Sequence, residues 1–240
     1  VEELRKILLE EIAACGPIEC IILSGGLDTS IIADAGAEKL GLKTAVTVLC
    51  GPEGVPTDEP YAKAIAESHG FKHHILRYDD PRDLVAPDEG GLLERLITCL
   101  GTFDPMEIRN SICVARAIEE CRDHGITSIV TGDGADELFA GYSFYRTMDE
   151  EKLLRYISRL QEDMCFSAVP LAAALGGGSQ PITVAQPFLG SEVRKFALTC
   201  KKSELVLPED EEGEEHGKYA LRLAFPEASS RWRRKDPIEV

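Results

Sequence analysis

The sequence predicts an α/β protein: a doubly wound parallel sheet followed by a helical C-terminal part. Three observations carry this expectation. Strand, turn, helix and strand patterns alternate through the first half of the chain, the rhythm of a parallel sheet with helices on both faces. Right-handed crossovers make an open sheet the default form of that pattern. Two Gly-rich turns, after Leu23 and after Thr131, close apolar runs, and ligands of such sheets bind at the carboxyl ends of strands.

The elements follow in order. Leu4, Ile7, Leu8 and Ile12 recur at helical spacing until Gly16-Pro17. Residues 18–23 form an apolar run that reads as a buried strand, and the helix after it carries Ile31, Ile32 and Ala35 as far as Gly41. A β-branched strand is expected over 44–49. After a loop with Gly51, Pro52, Gly54 and Pro56 comes a helix over about 59–69, capped by Gly70. A weaker strand at 74–78, helices at 92–100 and 110–121, and a short strand at 127–131 complete the first part. From Met148 onward the reading is helical: Leu153, Leu154, Ile157 and Leu160 share a face, residues 176–179 are a break, and helices are expected near 192–198 and 218–225. The expected division is a nucleotide-binding core at 1–147 and a helical part at 148–240 that completes one site.

Composition narrows the function. The 240 residues carry 26 Lys plus Arg against 42 Asp plus Glu, a formal charge of −16. That balance argues against a broad nucleic-acid or anionic-membrane surface. The six acids in residues 209–215 read as a solvated loop. No apolar run approaches the ~20 residues of a membrane helix, and no signal-peptide pattern opens the chain. The eight cysteines include no C-x-x-C pair and sit mostly in apolar stretches, as reduced thiols of a cytoplasmic protein do.

The sharpest motif is Ser24-Gly25-Gly26-Leu27-Asp28-Thr29-Ser30, between a strand and a helix. Adjacent glycines let backbone N–H groups approach an anion, hydroxyls add donors and the helix start adds its dipole. A phosphate or pyrophosphate suits it; a plain Gly turn with a capping Ser or Asp is the competing reading. Neither the Walker A pattern nor G-x-G-x-x-G is present. The second motif runs from Thr131 through Gly132, Asp133, Gly134, Ala135, Asp136 and Glu137 to Tyr142. It sets three carboxylates on a turn entering a helix. Beside a phosphate loop such a cluster calls for a cation, and Mg²⁺ held by one or two carboxylates and phosphate oxygens is the natural one. An acidic first helical turn is the alternative.

The first motif resembles the S-G-G-x-D-S loop of the ATP pyrophosphatase family, with Thr29 where Ser is usual. The second resembles the S-G-E-G-A-D-E-L-F-G-G-Y segment of asparagine synthetases. Weaker likenesses are Asp58-Glu59, Tyr61-Ala62, Gly70 and His73-His74; Ile108-Arg109-Asn110-Ser111; Pro187-Phe188-Leu189; and residues 219–225 followed by Trp232 to Asp236. The resemblance implies an adenine nucleotide alpha hydrolase-like fold. It implies ATP and Mg²⁺ as cofactors, with Leu23, Ser24, Gly25, Gly26, Asp28, Thr29 and Ser30 on the pyrophosphate. Leu49, Thr131 and Gly132 would flank adenosine, and Asp28 and Asp136 would hold the metal. Lys235 would stabilise the α-phosphate in adenyl transfer, though a basic tail gives the same letters, and Asp133 would act near the acceptor. Arg109 and Tyr142 would meet the substrate, with a surface ion pair the other reading of Arg109. Adjacent histidines on a strand face opposite ways, so His73 and His74 are read as structural and not as a joint metal site.

Two departures stand out. Asp133 replaces the usual Glu, and the E-x-R-x-P-F-L-D pattern appears as residues 183–190, with Thr183, Ala185 and Gly190 in place of Glu, Arg and the final Asp. If the lost groups read the substrate, aspartate is put in doubt. The expected reaction is activation of a carboxylate, aspartate first, as an acyl-adenylate with release of pyrophosphate, then attack by ammonia to give an amide. A different carboxylate, a weakly active nucleotide-binding partner subunit and, last, tRNA thiolation are the alternatives. A chain starting at Val1 leaves no room for a glutaminase domain ahead of the first strand, which leaves free ammonia, a separate glutaminase subunit or a processed piece as options. A homodimer is a further option; nucleic acid and membrane are not expected partners.

Overall fold

A computed structural model describes residues 1–54, 57–85, 91–164, 166–177, 181–207 and 216–233. Strands β1 (Cys20–Ile22), β2 (Thr44–Cys50), β3 (Lys72–Tyr78), β4 (Ser128–Val130) and β5 (Thr183–Ala185) form, among the described residues, one sheet of order β3-β2-β1-β4-β5. Every neighbouring pair is parallel, with Cys20 opposite both Thr44 and Ile129, Val46 opposite His74, and Val130 opposite Ala185. The chain winds outward from β1 to β3, then returns to place β4 and β5 on the other side. The order reverses between β1 and β4, so a crevice opens at their carboxyl ends. Both Gly-rich turns lie there.

Helices α1 (Glu2–Ala14), α2 (Leu27–Leu40), α3 (Glu59–Ser68), α4 (Pro81–Leu84), α5 (Leu92–Leu100) and α6 (Pro105–Asp123) accompany the first four strands. After β4 come α7 (Ala135–Leu138), α8 (Ser143–Arg146), α9 (Glu150–Asp163), α10 (Ala168–Leu175), α11 (Ser191–Ala197), α12 (Lys202–Leu205) and α13 (Tyr219–Ala224). Alternating strand residues supply two cores. Ile21, Leu23, Ala45 and Val130 pack with Leu4, Leu8, Ile12, Ile31, Ile32, Leu221 and Phe225. Cys20, Val46 and Ile129 pack on the opposite face with Leu92, Leu96, Ile112, Ile118, Leu171 and Leu175. Burial on both faces is why these strands read as unbroken apolar runs.

The structure corrects three sequence expectations. The helix expected over 110–121 begins at Pro105, because the Asp104 carboxylate accepts from the N–H groups of Met106 (2.8 Å) and Glu107 (3.1 Å) while Pro105 takes the first helical position. Arg109 therefore lies within α6 instead of ahead of a helix. The second part, expected to be helical throughout, also supplies β5; three residues between Pro181 and Pro187 are too few to show a period. The strand expected at 74–78 starts at Lys72. Lys235, the acidic residues 209–215 and Cys165 lie outside the described residues. Cys15, Cys20, Cys50, Cys99, Cys113, Cys121 and Cys200 are free thiols, and no described helix is long and apolar enough to cross a membrane.

Candidate active site

The turn after β1 is built almost entirely from its own residues. Leu23 extends the strand, its N–H donating to the Val46 carbonyl (2.8 Å). The Ser24 hydroxyl accepts from the Gly26 N–H (3.2 Å) and pairs with the Thr29 hydroxyl (3.2 Å), which also donates to the Gly26 carbonyl (3.3 Å). Ser24 remains exposed at the mouth of the turn. Ser30 differs: it is fully buried, and its hydroxyl donates to the Leu27 carbonyl (2.8 Å), serving the first turn of α2. Gly25 has φ +71°, and a Cβ on it would lie 2.8 Å from Ala62 N and Asp58 O, so the turn needs glycine on both counts. The Ser230 hydroxyl donates to the Gly25 carbonyl (2.7 Å) and the Ser229 N–H to Asp34 (2.6 Å), laying the C-terminal segment against the turn.

The turn after β4 is built from distant partners. Lys218, 5% exposed, reaches in from just ahead of α13. Its ammonium lies 2.8 and 2.6 Å from the two carboxylate oxygens of Asp28 and 2.9 Å from Asp136 Oδ1. Asp28 comes from the first turn and Asp136 from the second; Lys218 joins them. Burial pulls the Lys218 ammonium down, but the charges of Asp136 and Asp28 outweigh it and hold its pKa above the ordinary lysine value. A Cβ at Gly141 would overlap Asp136 Oδ1 and the Lys218 side chain, so glycine there permits the convergence. Ala140 (φ +55°) and Lys218 (φ +58°) are the described non-glycine residues with left-handed backbone, strain of about 1 kcal/mol or more each that clusters around this site. The Lys218 N–H donating to Phe139 O (2.9 Å) helps to hold it.

Asp133 Oδ2 accepts from the Thr131 hydroxyl (2.7 Å) and the Gln186 amide (2.7 Å). Burial pushes its carboxyl above the ordinary range, and those two hydrogen bonds oppose the rise. Glu137 is also raised by burial, and accepts from the Tyr142 hydroxyl (2.5 Å). That hydroxyl belongs to the tyrosine expected to meet substrate. Leu49 is buried near the end of β2, and Arg109 leaves a buried Nε without a hydrogen-bond partner.

Of the three departures at residues 183–190, Ala185 ends β5 opposite Val130, at the carboxyl side of the sheet. Thr183 stands at the exposed amino end of β5, its hydroxyl donating to the Thr127 carbonyl (3.2 Å), away from the crevice. Gly190 caps α11, where an Asp would cap the helix itself. Here Glu11 of α1 fills that space: a Cβ at Gly190 would overlap its carboxyl, and Glu11 Oε1 accepts from the Glu192 N–H (3.2 Å). A carboxylate from another helix thus caps α11 at the position where the family pattern has an Asp.

A family model described as asparagine synthase matches residues 17–180, from the approach to β1 across the acidic turn to α10. The chain belongs to the asparagine synthase family. It is 28% identical over 219 residues to asparagine synthetase [glutamine-hydrolyzing] 1 of Arabidopsis thaliana, covering 85% of this chain and 35% of the relative. It is 29% identical over 219 residues to the Asparagus officinalis asparagine synthetase [glutamine-hydrolyzing], with the same coverage. The chain thus spans about a third of the length of the curated relatives it matches. A solved structure, NMN synthetase from Francisella tularensis, aligns at TM-score 0.37 with 17% identity, over 58% of this chain and 57% of that one, too distant a likeness to bear on the site.

Within this asparagine synthase domain, two carboxylates from separate turns already converge on one cation, the Lys218 ammonium. That all-oxygen donor set fits Mg²⁺, which takes one or two carboxylates and completes its shell with phosphate oxygens. Sequence reasoning singled out neither Lys218 nor Gln186. A signal for Lys218 was present: the K-x-x-L-R-x-A-F pattern behind the likeness at residues 219–225 places its lysine on Lys218. Gln186 falls at a position the E-x-R-x-P-F-L-D pattern leaves unspecified.

Proposed function

We propose that this chain is an ATP-dependent, amide-forming synthetase domain that activates aspartate as an acyl-adenylate, releases pyrophosphate and passes the activated carbonyl to ammonia. The observation that carries this reading is the meeting of Asp28, Asp136 and Lys218 beside the Gly25-Gly26 turn. Backbone N–H groups of that turn, with the Ser24 and Thr29 hydroxyls, bind the β- and γ-phosphates. Asp28 and Asp136 would hold Mg²⁺, which neutralises phosphate charge as pyrophosphate leaves. Lys218 keeps the two carboxylates from repelling each other and adds positive charge at the same point. Leu49, Thr131 and Gly132 offer backbone to adenine and ribose.

The substrate carboxylate attacks the α-phosphorus, the bond to the pyrophosphate oxygen breaks, and Lys235 meets the charge that develops on the α-phosphate. Arg109, with its uncommitted buried nitrogen, clamps a carboxylate of the substrate. Ammonia then attacks the acyl carbon and AMP leaves. Asp133, raised by burial, accepts a proton from the attacking nitrogen, held in place by Thr131 and Gln186. The segment at 228–233, tied to the loop through Ser230, limits water access to the adenylate. Ammonia arrives free or from a glutaminase, as the names of the relatives suggest, and the free thiols suit the cytoplasm.

Purified protein with ATP, Mg²⁺, aspartate and ammonium should release pyrophosphate and AMP in equal amounts, measured by a coupled pyrophosphate assay. Absence of AMP with every carboxylate tried would rule the reading out.

A further inference from the structure

We propose a second metal site, formed by His74, Glu120 and His124, for a divalent ion of the zinc class. It lies far from the crevice. His74 is in the amino half of β3, and α6 ends at His124 as the chain turns back into the amino end of β4. His73 and His74 face opposite ways, as adjacent strand residues must. His73 Nε2 lies 2.8 Å from the Thr47 hydroxyl, whereas His74 turns to α6.

Three donors of suitable chemistry converge there. Glu120 and His124 are one helical turn apart, on one face. Glu120 Oε1 lies 2.7 Å from His74 Nδ1 and 2.9 Å from His124 Nε2. The two rings meet edge to face with centroids 4.2 Å apart, and all three ligand atoms lie within 4.8 Å of one another. Ligands at ~2.0–2.1 Å from a tetrahedral ion are about 3.3 Å apart. The hydrogen-bonded distances need open only by about half an ångström for an ion to take the place of the bridging protons.

Two further observations favour an ion over a purely structural hydrogen-bond set. His74 Nε2 is buried without a partner, so Glu120 alone orients the ring and turning it toward an ion breaks no other bond. The side chains grade outward, from 11% exposed at His74 through 21% at Glu120 to 43% at His124. An ion can reach the site from solvent, and water can complete its shell. Two imidazoles and one carboxylate select zinc, cobalt, nickel or copper over magnesium, so the ligand chemistry differs from that at Asp28 and Asp136. A bound ion would clip the edge strand to the end of α6, joining segments 46 residues apart in sequence.

Chelator-treated protein is titrated with Co²⁺ in saturating Mg²⁺, which occupies the oxygen-rich site, and is followed by visible absorption and thermal melting. The expected result is one equivalent bound with the bands of a four-coordinate nitrogen–oxygen site, no thiolate charge transfer, and displacement by Zn²⁺. Zn²⁺ at a hundredfold excess over Kd should raise Tm by about 5 °C or more. His124→Gln at the exposed helix end and Glu120→Gln should each weaken binding at least tenfold, with circular dichroism checking the fold. Absence of binding by the wild-type chain, thiolate bands, or unchanged affinity in the folded variants would each overturn the site.

Discussion

The two Gly-rich turns at the carboxyl ends of β1 and β4 sit side by side and are built in opposite ways. The first is held mainly by bonds among Ser24, Gly26, Leu27, Thr29 and Ser30, all within six positions of one another. The second is held by Gln186, 53 residues from Asp133, and by Lys218, 82 residues on from Asp136, which also pairs with Asp28 of the first turn. A turn of backbone donors can be written into one short motif. A cluster of buried carboxylates cannot, because its charge has to be balanced from elsewhere in the chain.

The sharpest way to break this contrast is Lys218→Met. It removes the buried ammonium that Asp28 and Asp136 both face, so stability should fall by about 3 kcal/mol and pyrophosphate release should drop with it. Urea unfolding checks the first effect; a loss below about 1 kcal/mol would mean that the second turn does not depend on its distant partner.

Gly25→Ala probes the local turn. Positive φ and a Cβ at 2.8 Å from two backbone atoms predict a loss of about 1–3 kcal/mol, smaller than for Lys218. Equal losses in the two variants would erase the distinction between the turns.

Alkaline pH sharpens the comparison further. Lys218, Tyr142 and Tyr145 all titrate above their ordinary values, the lysine through Asp136 and Asp28 against its burial, the tyrosines chiefly through burial. With folded values raised, the stability these groups contribute is complete below about pH 10 and is lost as pH rises through the folded values. Melting temperature should start to fall above about pH 8.5, where unfolded thiols ionise while burial keeps Cys113 and Cys200 protonated, and fall faster above about pH 10, less steeply in Lys218→Met. A Tm unchanged at pH 11 would contradict the burial of these groups.

The smallest effect is expected at Thr183, which faces away from both turns. Thr183→Val should leave stability within about 0.5 kcal/mol and the order of preference among carboxylate substrates unchanged. A switch of preferred carboxylate would return Thr183 to the site.

The parallel core and the first turn were legible because their causes are local: apolar runs, glycine spacing and hydroxyls a few residues apart. The helical start at Pro105 was written in Asp104-Pro105, a cap and first-turn pair that the I-R-x-S likeness obscured. β5 was not legible, since Thr183–Ala185 is a strand only because β4 offers it an edge. At Gly190, where the family pattern has an Asp, α11 is capped by Glu11 from α1, a partner no local pattern announces. His74 looked like one of two structural histidines until α6 brought Glu120 and His124 against it.

The sequence by itself determined the layers of the fold, the Gly-rich turn after β1 and the presence of acids beside it, because propensity, periodicity and glycine placement act over a few residues. Only the tertiary structure decided which cation balances Asp28 and Asp136, which amide holds Asp133 and which residues stand outside the crevice. Burying charge is costly unless a partner is within about 3 Å, and at these positions the fold alone determines which residue can be that partner.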